Sequence, residues 1–344
     1  MQLYNKLSAE ERAKIIDENS QERITLSFYK YFNLRNPSLF RDHLFIAFSK
    51  LDVLGRIYVA NEGINAQLSV PKENIEKFKK SISEITPLNH IRLNIALEHY
   101  SKSFLKLTIK IKEKIVADGL NENTFDVTKI GEHLDAERFN QMLEDKNTIC
   151  IDMRNHYESE IGFFKGAIKP DVDTFRESLE VIDRELEKNG KEKNYLMYCT
   201  GGIRCEKASA YLKHKGINNV FQLEGGIIEY TRQVNEKDLK NNFLGKNFVF
   251  DERRGERISD DIVSNCHQCG NPCDSHINCI NESCHLLFIQ CEDCREKMNS
   301  CCSIECMEII KLSYEEQKSL RKGKHNSNKI FKKGRSSKLK FKIN

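Results

Sequence analysis

The chain has 344 residues, a formal net charge of +4, thirteen cysteines and no tryptophan. One hydrophobic core stops growing near ~250–300 residues, so two or three domains are expected. Residues 1–14 are polar and charged, and no run approaches the ~18 apolar residues of a membrane span, which predicts a cytoplasmic chain without a secretory leader.

In chain order, the apolar run 24–32 predicts a strand, and Asn36-Pro37-Ser38 opens a helix through Phe48. Residues 55–60 and 64–70 flank the turn Asn61-Glu62-Gly63 as a hairpin. In its second arm Ile64, Ala66, Leu68 and Val70 alternate with Asn65, Gln67 and Ser69, the period of a half-buried strand. Pro71 is placed at a helix start, and Ile75, Phe78, Ile82 and Ile85 share that helix's face. In a last strand Leu105, Leu107, Ile109 and Ile111 face one way and Lys106, Thr108, Lys110 and Lys112 the other. The order βαββαβ predicts a ferredoxin-like (acylphosphatase-like) α+β domain over residues 1–120. Lys106, Lys110 and Lys112 are candidate nucleic-acid phosphate contacts; the alternative is a strand face guarded from aggregation by lysines.

Residues 124–235 alternate strands and helices. A strand at 149–152 precedes a helix carrying Phe175, Leu179, Ile182 and Leu186 and ended by Asn189-Gly190. A strand at 195–198, a helix at 204–215 stopped by Gly216, a strand at 220–223 and the turn Gly225-Gly226 follow. This predicts an α/β domain with a parallel sheet covered on both faces. Residues 236–312 are cysteine-rich. Residues 313–344 form a basic tail, with ten Lys/Arg and no acid between Arg321 and Lys342. Such a block is expected to be disordered when free and either solubilises the chain or binds polyanions; Lys332, Lys333 and Arg335 are its candidate nucleic-acid contacts.

The main chemical signal is the loop Cys199-Thr200-Gly201-Gly202-Ile203-Arg204 between a buried strand and a helix. Ligands of parallel sheets sit at carboxyl ends of strands. Glycines let the backbone aim N–H groups inward, the helix N-terminus adds positive potential, and Arg204 adds a cation. A thiolate or persulfide at Cys199 is stabilised there, so its pKa should fall. Cys205 either resolves a persulfide or packs the first helical turn. The C-x4-R loop resembles that of rhodanese sulfurtransferases. Upstream, Asp152, Arg154, Glu158, Gly162 and Gly166-Ala167-Ile168 fit the rhodanese pattern, with Phe163 where many members have His. Asp152, Arg154 and Glu158 read as scaffold, the Asp–Arg pair orienting the loop.

In a reducing compartment cysteines serve as metal ligands or reactive groups rather than disulfides. Ten of them lie between Cys266 and Cys306. The pairs Cys266/Cys269 and Cys291/Cys294, with 21 residues between, have nearly zinc-ribbon spacing and predict a structural zinc site. Cys273, Cys279, Cys284, Cys301, Cys302 and Cys306, together with the histidines, are candidates for a second.

Taken together, 55–65, 113–119, the stretch from Tyr198 to Lys207 and Cys266-His267-Gln268-Cys269-Gly270 resemble the bacterial tRNA uridine-34 hydroxylases. The resemblance implies an oxidoreductase that hydroxylates the wobble uridine of tRNA to 5-hydroxyuridine. It implies molecular oxygen as co-substrate, a persulfide on Cys199 and the anticodon loop as partner. No flavin or nicotinamide fingerprint and no facial iron triad is visible. The sequence alone leaves two other readings: a sulfurtransferase delivering sulfane sulfur, and a non-catalytic zinc-containing RNA-binding protein.

Overall fold

The computed structural model describes residues 5–120, 125–321 and Leu339. Its first part runs α1 (Ala9–Glu18), β1 (Arg23–Tyr31), α2 (Pro37–Lys50), β2 (Leu54–Ala60), β3 (Gly63–Pro71), α3 (Ile75–Glu84), β4 (Asn94–Ile95) and β5 (Leu107–Ile111). The N-cap Asn36, whose side chain accepts the Leu39 N–H, and Pro37 in the first turn start α2 as the sequence predicts. The sheet order is β4-β1-β3-β2-β5. Leu26, Phe28, Ile57, Ile64 and Leu68 on one sheet face pack against Phe48 of α2 and Phe78 and Ile82 of α3.

Two expectations are corrected. The fourth ferredoxin-like strand is β4, antiparallel to β1, while the lysine-bearing strand β5 is an addition on the opposite edge, parallel to β2. A two-residue strand has no alternation to detect, so the longer strand took its place in the sequence reading. Pro71 ends β3 opposite Arg23 and caps a single 3-10 turn, Lys72–Asn74, so the α-helix that the sequence reading started at Pro71 begins only at Ile75.

The second part contains β6 (Glu132–Leu134), α4 (Ala136–Glu144), β7 (Thr148–Asp152), α5 (His156–Ser159), β8 (Gly162–Phe164), α6 (Phe175–Asn189), β9 (Asn194–Tyr198), α7 (Ile203–His214), β10 (Val220–Leu223) and α8 (Gly226–Lys237). Strands β6-β10-β9-β7 form a wholly parallel sheet. One face is covered by Phe175, Leu179 and Ile182 of α6 and Leu212 of α7, the other by Phe139 of α4 and Ile227 and Tyr230 of α8.

The third part has β11 (Phe243–Asn247), β12 (Glu256–Arg257), β13 (His276–Asn278), β14 (Leu287–Ile289), α9 (Glu292–Lys297), α10 (Ile304–Ile310) and α11 (Tyr314–Arg321). It is stitched to the second part, because β11 pairs with β8. Helix α11 occupies residues that the sequence reading gave to a structureless tail, and Leu339 is buried beside Cys301, Cys302 and Cys306. Lys332, Lys333 and Arg335 lie outside the described residues. Among the described residues no helix is long and apolar enough to cross a membrane.

Candidate active site

Cys199 follows the last residue of β9 and is completely buried. Its Sγ accepts the Gly202 N–H at 3.1 Å. Gly202 has φ +103°, and a Cβ there would stand 2.6 Å from the Tyr29 hydroxyl, so only glycine closes this turn. Behind the loop, the N-terminus of α8 donates the Ile227 N–H to the Cys199 carbonyl at 3.0 Å. A Cβ on Gly226 would meet the Thr200 carbonyl oxygen at 2.5 Å, which accounts for the glycine pair read as a turn. Burial alone would push the Cys199 thiol up. The Cys205 thiol, the Arg204 charge and the N–H groups of Arg204 and Cys205 outweigh it and bring the pKa down to about 6. Burial holds the Cys205 thiol well above its ordinary value, so it remains a donor to Cys199.

Arg204 grips Glu158 with two bonds of 2.6 and 2.8 Å. Glu158 is fully buried; burial would raise its pKa, but the charges of Arg204 and Arg154 hold it low. The pair Asp152–Arg154 does something else. Arg154 binds Asp152 at 2.6–3.2 Å and the Gly162 carbonyl at 2.7 Å, and the Tyr198 hydroxyl donates to Asp152 at 2.8 Å. These bonds fasten the end of β7 to its sheet neighbour β9 and to β8 of the adjoining sheet. Of the three residues, Glu158 bonds a side chain of the reactive loop, Arg204, while Asp152 and Arg154 reach the loop through Tyr198, the residue before Cys199.

A cavity of about 400 Å³ opens over Cys199, Thr200, Gly201, Ile203 and Arg204. Its opposite wall is the polar face of the N-terminal sheet, with Ser27, Tyr29, Arg56, Tyr58, Asn65 and Gln67. Phe250, just after β11, contributes from the third part and stands 5.9 Å from the Arg204 guanidinium. The sequence reading treated Asn65 and Gln67 as the polar side of a half-buried strand; that side faces the reactive loop. The available signal was composition: amides, tyrosines and an arginine where a merely solvated face carries Lys and Glu. Strand register aligns Asn94, Ser27, Gln67, Arg56 and Thr108 side by side across the sheet, and Tyr29, Asn65, Tyr58 and Lys110 next to them. Laterally paired residues share a face. The lysine face of β5, with Lys106, Lys110 and Lys112 exposed, thus continues the cavity wall to the sheet edge.

Eight of the ten C-terminal cysteines resolve into two sets of four. The sulfurs of Cys266, Cys269, Cys291 and Cys294 lie within 4.8 Å of one another, and so do those of Cys279, Cys284, Cys302 and Cys306. Sγ–Sγ distances are 3.6 Å for Cys269–Cys291, 3.6 Å for Cys284–Cys302 and 3.7 Å for Cys302–Cys306. A disulfide needs ~2.05 Å, whereas four thiolates at ~2.3 Å from one ion stand ~3.8 Å apart. Peptide N–H groups of Cys291 and Cys302 donate to Cys266 and Cys279 at 3.4 Å, as thiolate ligands require. Each set therefore fits one metal ion. Cys273 and Cys301 belong to neither, which narrows the second site from six candidate cysteines to four. Among the described residues no histidine joins either set; His267 instead bonds Glu160 at 2.7 Å and ties the first set to the second part.

Residues 23–115 match the family described as UPF0176 acylphosphatase like domain, 135–233 the Rhodanese-like domain, and 244–307 the Rhodanase C-terminal family. A Photorhabdus laumondii protein named tRNA uridine(34) hydroxylase is 53% identical over 335 residues, covering 97% of this chain and 95% of its own. The chain belongs to the tRNA uridine(34) hydroxylase family. A Yersinia pestis member of that name is also 53% identical over 335 residues, covering 97% of this chain and 94% of its own. The crystal structure of a Staphylococcus aureus rhodanese-like domain protein, 25% identical, covers 29% of this chain and 91% of its own, with a TM-score of 0.24. Relationship to this hydroxylase family spans all three parts of the chain, and each part supplies some of the wall around Cys199.

Proposed function

We propose that this protein is an oxidoreductase that hydroxylates C5 of uridine 34 in tRNA, giving 5-hydroxyuridine, with Cys199 bearing a persulfide. The observation that carries this reading is the cavity over Cys199, whose far wall is a polar sheet face that continues into an exposed basic edge. A rhodanese loop alone would serve a small sulfur donor. This one is roofed by amides and tyrosines suited to a nucleobase. The wobble base turns out of its stack into the cavity, as base-modifying enzymes require, while Lys106, Lys110 and Lys112 hold the anticodon-loop phosphates and Lys332, Lys333 and Arg335 extend that grip. The inward N–H groups and Arg204 that favour the thiolate equally favour a persulfide anion. Thr200, Gly201, Gly202 and Ile203 shape its cradle, and Cys205 holds it by a hydrogen bond. Molecular oxygen is the co-substrate: one oxygen atom goes to C5 and the other leaves as water, with two electrons and two protons supplied by an external reductant. The two cysteine sets hold structural zinc, which contributes folding energy and fixes the segment that carries Phe250. The protein works in the cytoplasm.

A sulfurtransferase is the second reading, favoured by the lowered Cys199 pKa and the intact loop. Nucleoside mass spectrometry of tRNA from cells lacking the gene, rescued with wild type or Cys199→Ala, separates the two. Loss of 5-hydroxyuridine-derived nucleosides, restored by wild type alone, supports hydroxylation. Their persistence alongside loss of a thiolated nucleoside would make the protein a sulfurtransferase.

A further inference from the structure

We propose that Asn94 reads the N3–H of the uracil that enters the Cys199 cavity. This rests on the hydroxylase reading and adds the residue that recognises the base. Asn94 is only 3% exposed and lines the same cavity as Cys199. Its Nδ2 donates to the Gly201 carbonyl in the reactive loop at 3.3 Å. That bond fixes the amide's orientation, because a flipped amide would set Oδ1 against the carbonyl oxygen. Oδ1 is left buried and without a hydrogen-bond partner.

An acceptor buried without a donor is costly and rare, and a ligand that brings the donor removes the cost. Uracil is matched to this. Its ring edge carries one donor, N3–H, between two carbonyl acceptors, whereas cytosine presents a bare acceptor at N3. Ser27 is register-paired with Asn94, and Gln67 with Ser27; both line the cavity and carry the donors that the flanking carbonyls need. The same row continues through Arg56 to Thr108 of the basic edge strand, so the base-reading groups and the proposed phosphate grip lie on one face.

The test uses full-length protein and a tRNA carrying uridine or N3-methyluridine at position 34, with oxygenated product measured by mass spectrometry. Wild type should lose roughly 10- to 100-fold in kcat/KM on N3-methylation, the scale of one buried hydrogen bond left unmade. Asn94→Leu, which keeps the volume without the acceptor, should lose a similar factor on uridine. In Asn94→Ala, N3-methylation should cost less than about threefold, because the contact it blocks is already gone. Turnover of N3-methyluridine by wild type at the uridine rate would overturn the proposal. So would full uridine activity in both variants, or penalties that multiply in Asn94→Ala. The wild-type substrate comparison stands even if a variant fails to fold. Absence of any oxygenated product from wild type on uridine 34 would instead sink the hydroxylase reading.

Discussion

Lys207, one turn into the helix that follows Cys199, places its fully buried ammonium 2.9 Å from Glu62 in the hairpin turn of the N-terminal sheet. Asp118 stands 2.9 Å from the same nitrogen, and the Val116 carbonyl accepts from it at 2.8 Å. Glu62 also accepts the Ile115 N–H at 2.7 Å. These residues come from three separated stretches that carry the family resemblance, and they meet at one point. The cluster locks the reactive helix onto the sheet that roofs it. Removing one partner of a buried ion pair leaves the other uncompensated, at a cost of about 3–5 kcal/mol. Lys207→Met should therefore lower the unfolding free energy by an amount in that range, seen as a lower denaturant midpoint. A midpoint equal to wild type would mean that the cluster does not fasten the two parts.

The thiol of Cys199 should be mostly thiolate at neutral pH. Its pKa is depressed to about 6, so alkylation should be slow below that pH and reach its plateau above it. The Cys205 thiol is among the groups that lower it, so Cys205→Ala should move the midpoint upward. Mass-spectrometric alkylation rates between pH 4.5 and 9, roughly spanning free-thiol behaviour, decide this. A midpoint near that of a free thiol, ~8.5, in the wild type would show that the loop does not activate the residue.

Metal content should follow the two sulfur sets. Purified protein should release two equivalents of zinc, one for each set of four. Cys266→Ser and Cys279→Ser should each lose one, while Cys273→Ser and Cys301→Ser should keep both. Full zinc content in Cys266→Ser would refute the grouping. Chelation should also reduce activity, because Phe250 reaches the cavity from the chain that the first set anchors through Phe248.

Neutralising the edge strand should weaken tRNA binding through salt-sensitive contacts alone. Lys106→Gln with Lys110→Gln should flatten the dependence of log K on log salt by roughly 0.7–0.9 for each phosphate contact removed. Titrations from low to moderate salt would show it. An unchanged slope would assign these lysines to edge protection.

Much of the fold was legible in the sequence because it rests on periodicity. Ile64, Ala66, Leu68 and Val70 announce β3, and Phe175, Leu179, Ile182 and Leu186 announce α6. Strand β4 was not legible: Asn94–Ile95 exists only because β1 offers an edge. Helix α8 was hidden by the glycines at its start, which serve the Cys199 loop behind it. At the site, Cys199, Arg204 and the first cysteine set were readable because their spacing is local. Tyr29, Gln67 and Asn94 were not, since their role appears only when a separate sheet is laid over the loop. The grouping of the second cysteine set likewise needed three dimensions to exclude Cys301 beside Cys302.

The way Phe250 closes the cavity bears on the order of synthesis. A ribosome completes the N-terminal sheet first and the Cys199 loop next, and only afterwards makes the aromatic segment and the cysteines that hold it. A growing chain therefore exposes a reactive sulfur without the full surroundings that would direct it. The chain's last third acts as a completion step, and on the proposed metal sites the supply of that metal would set when a newly made molecule can begin to work.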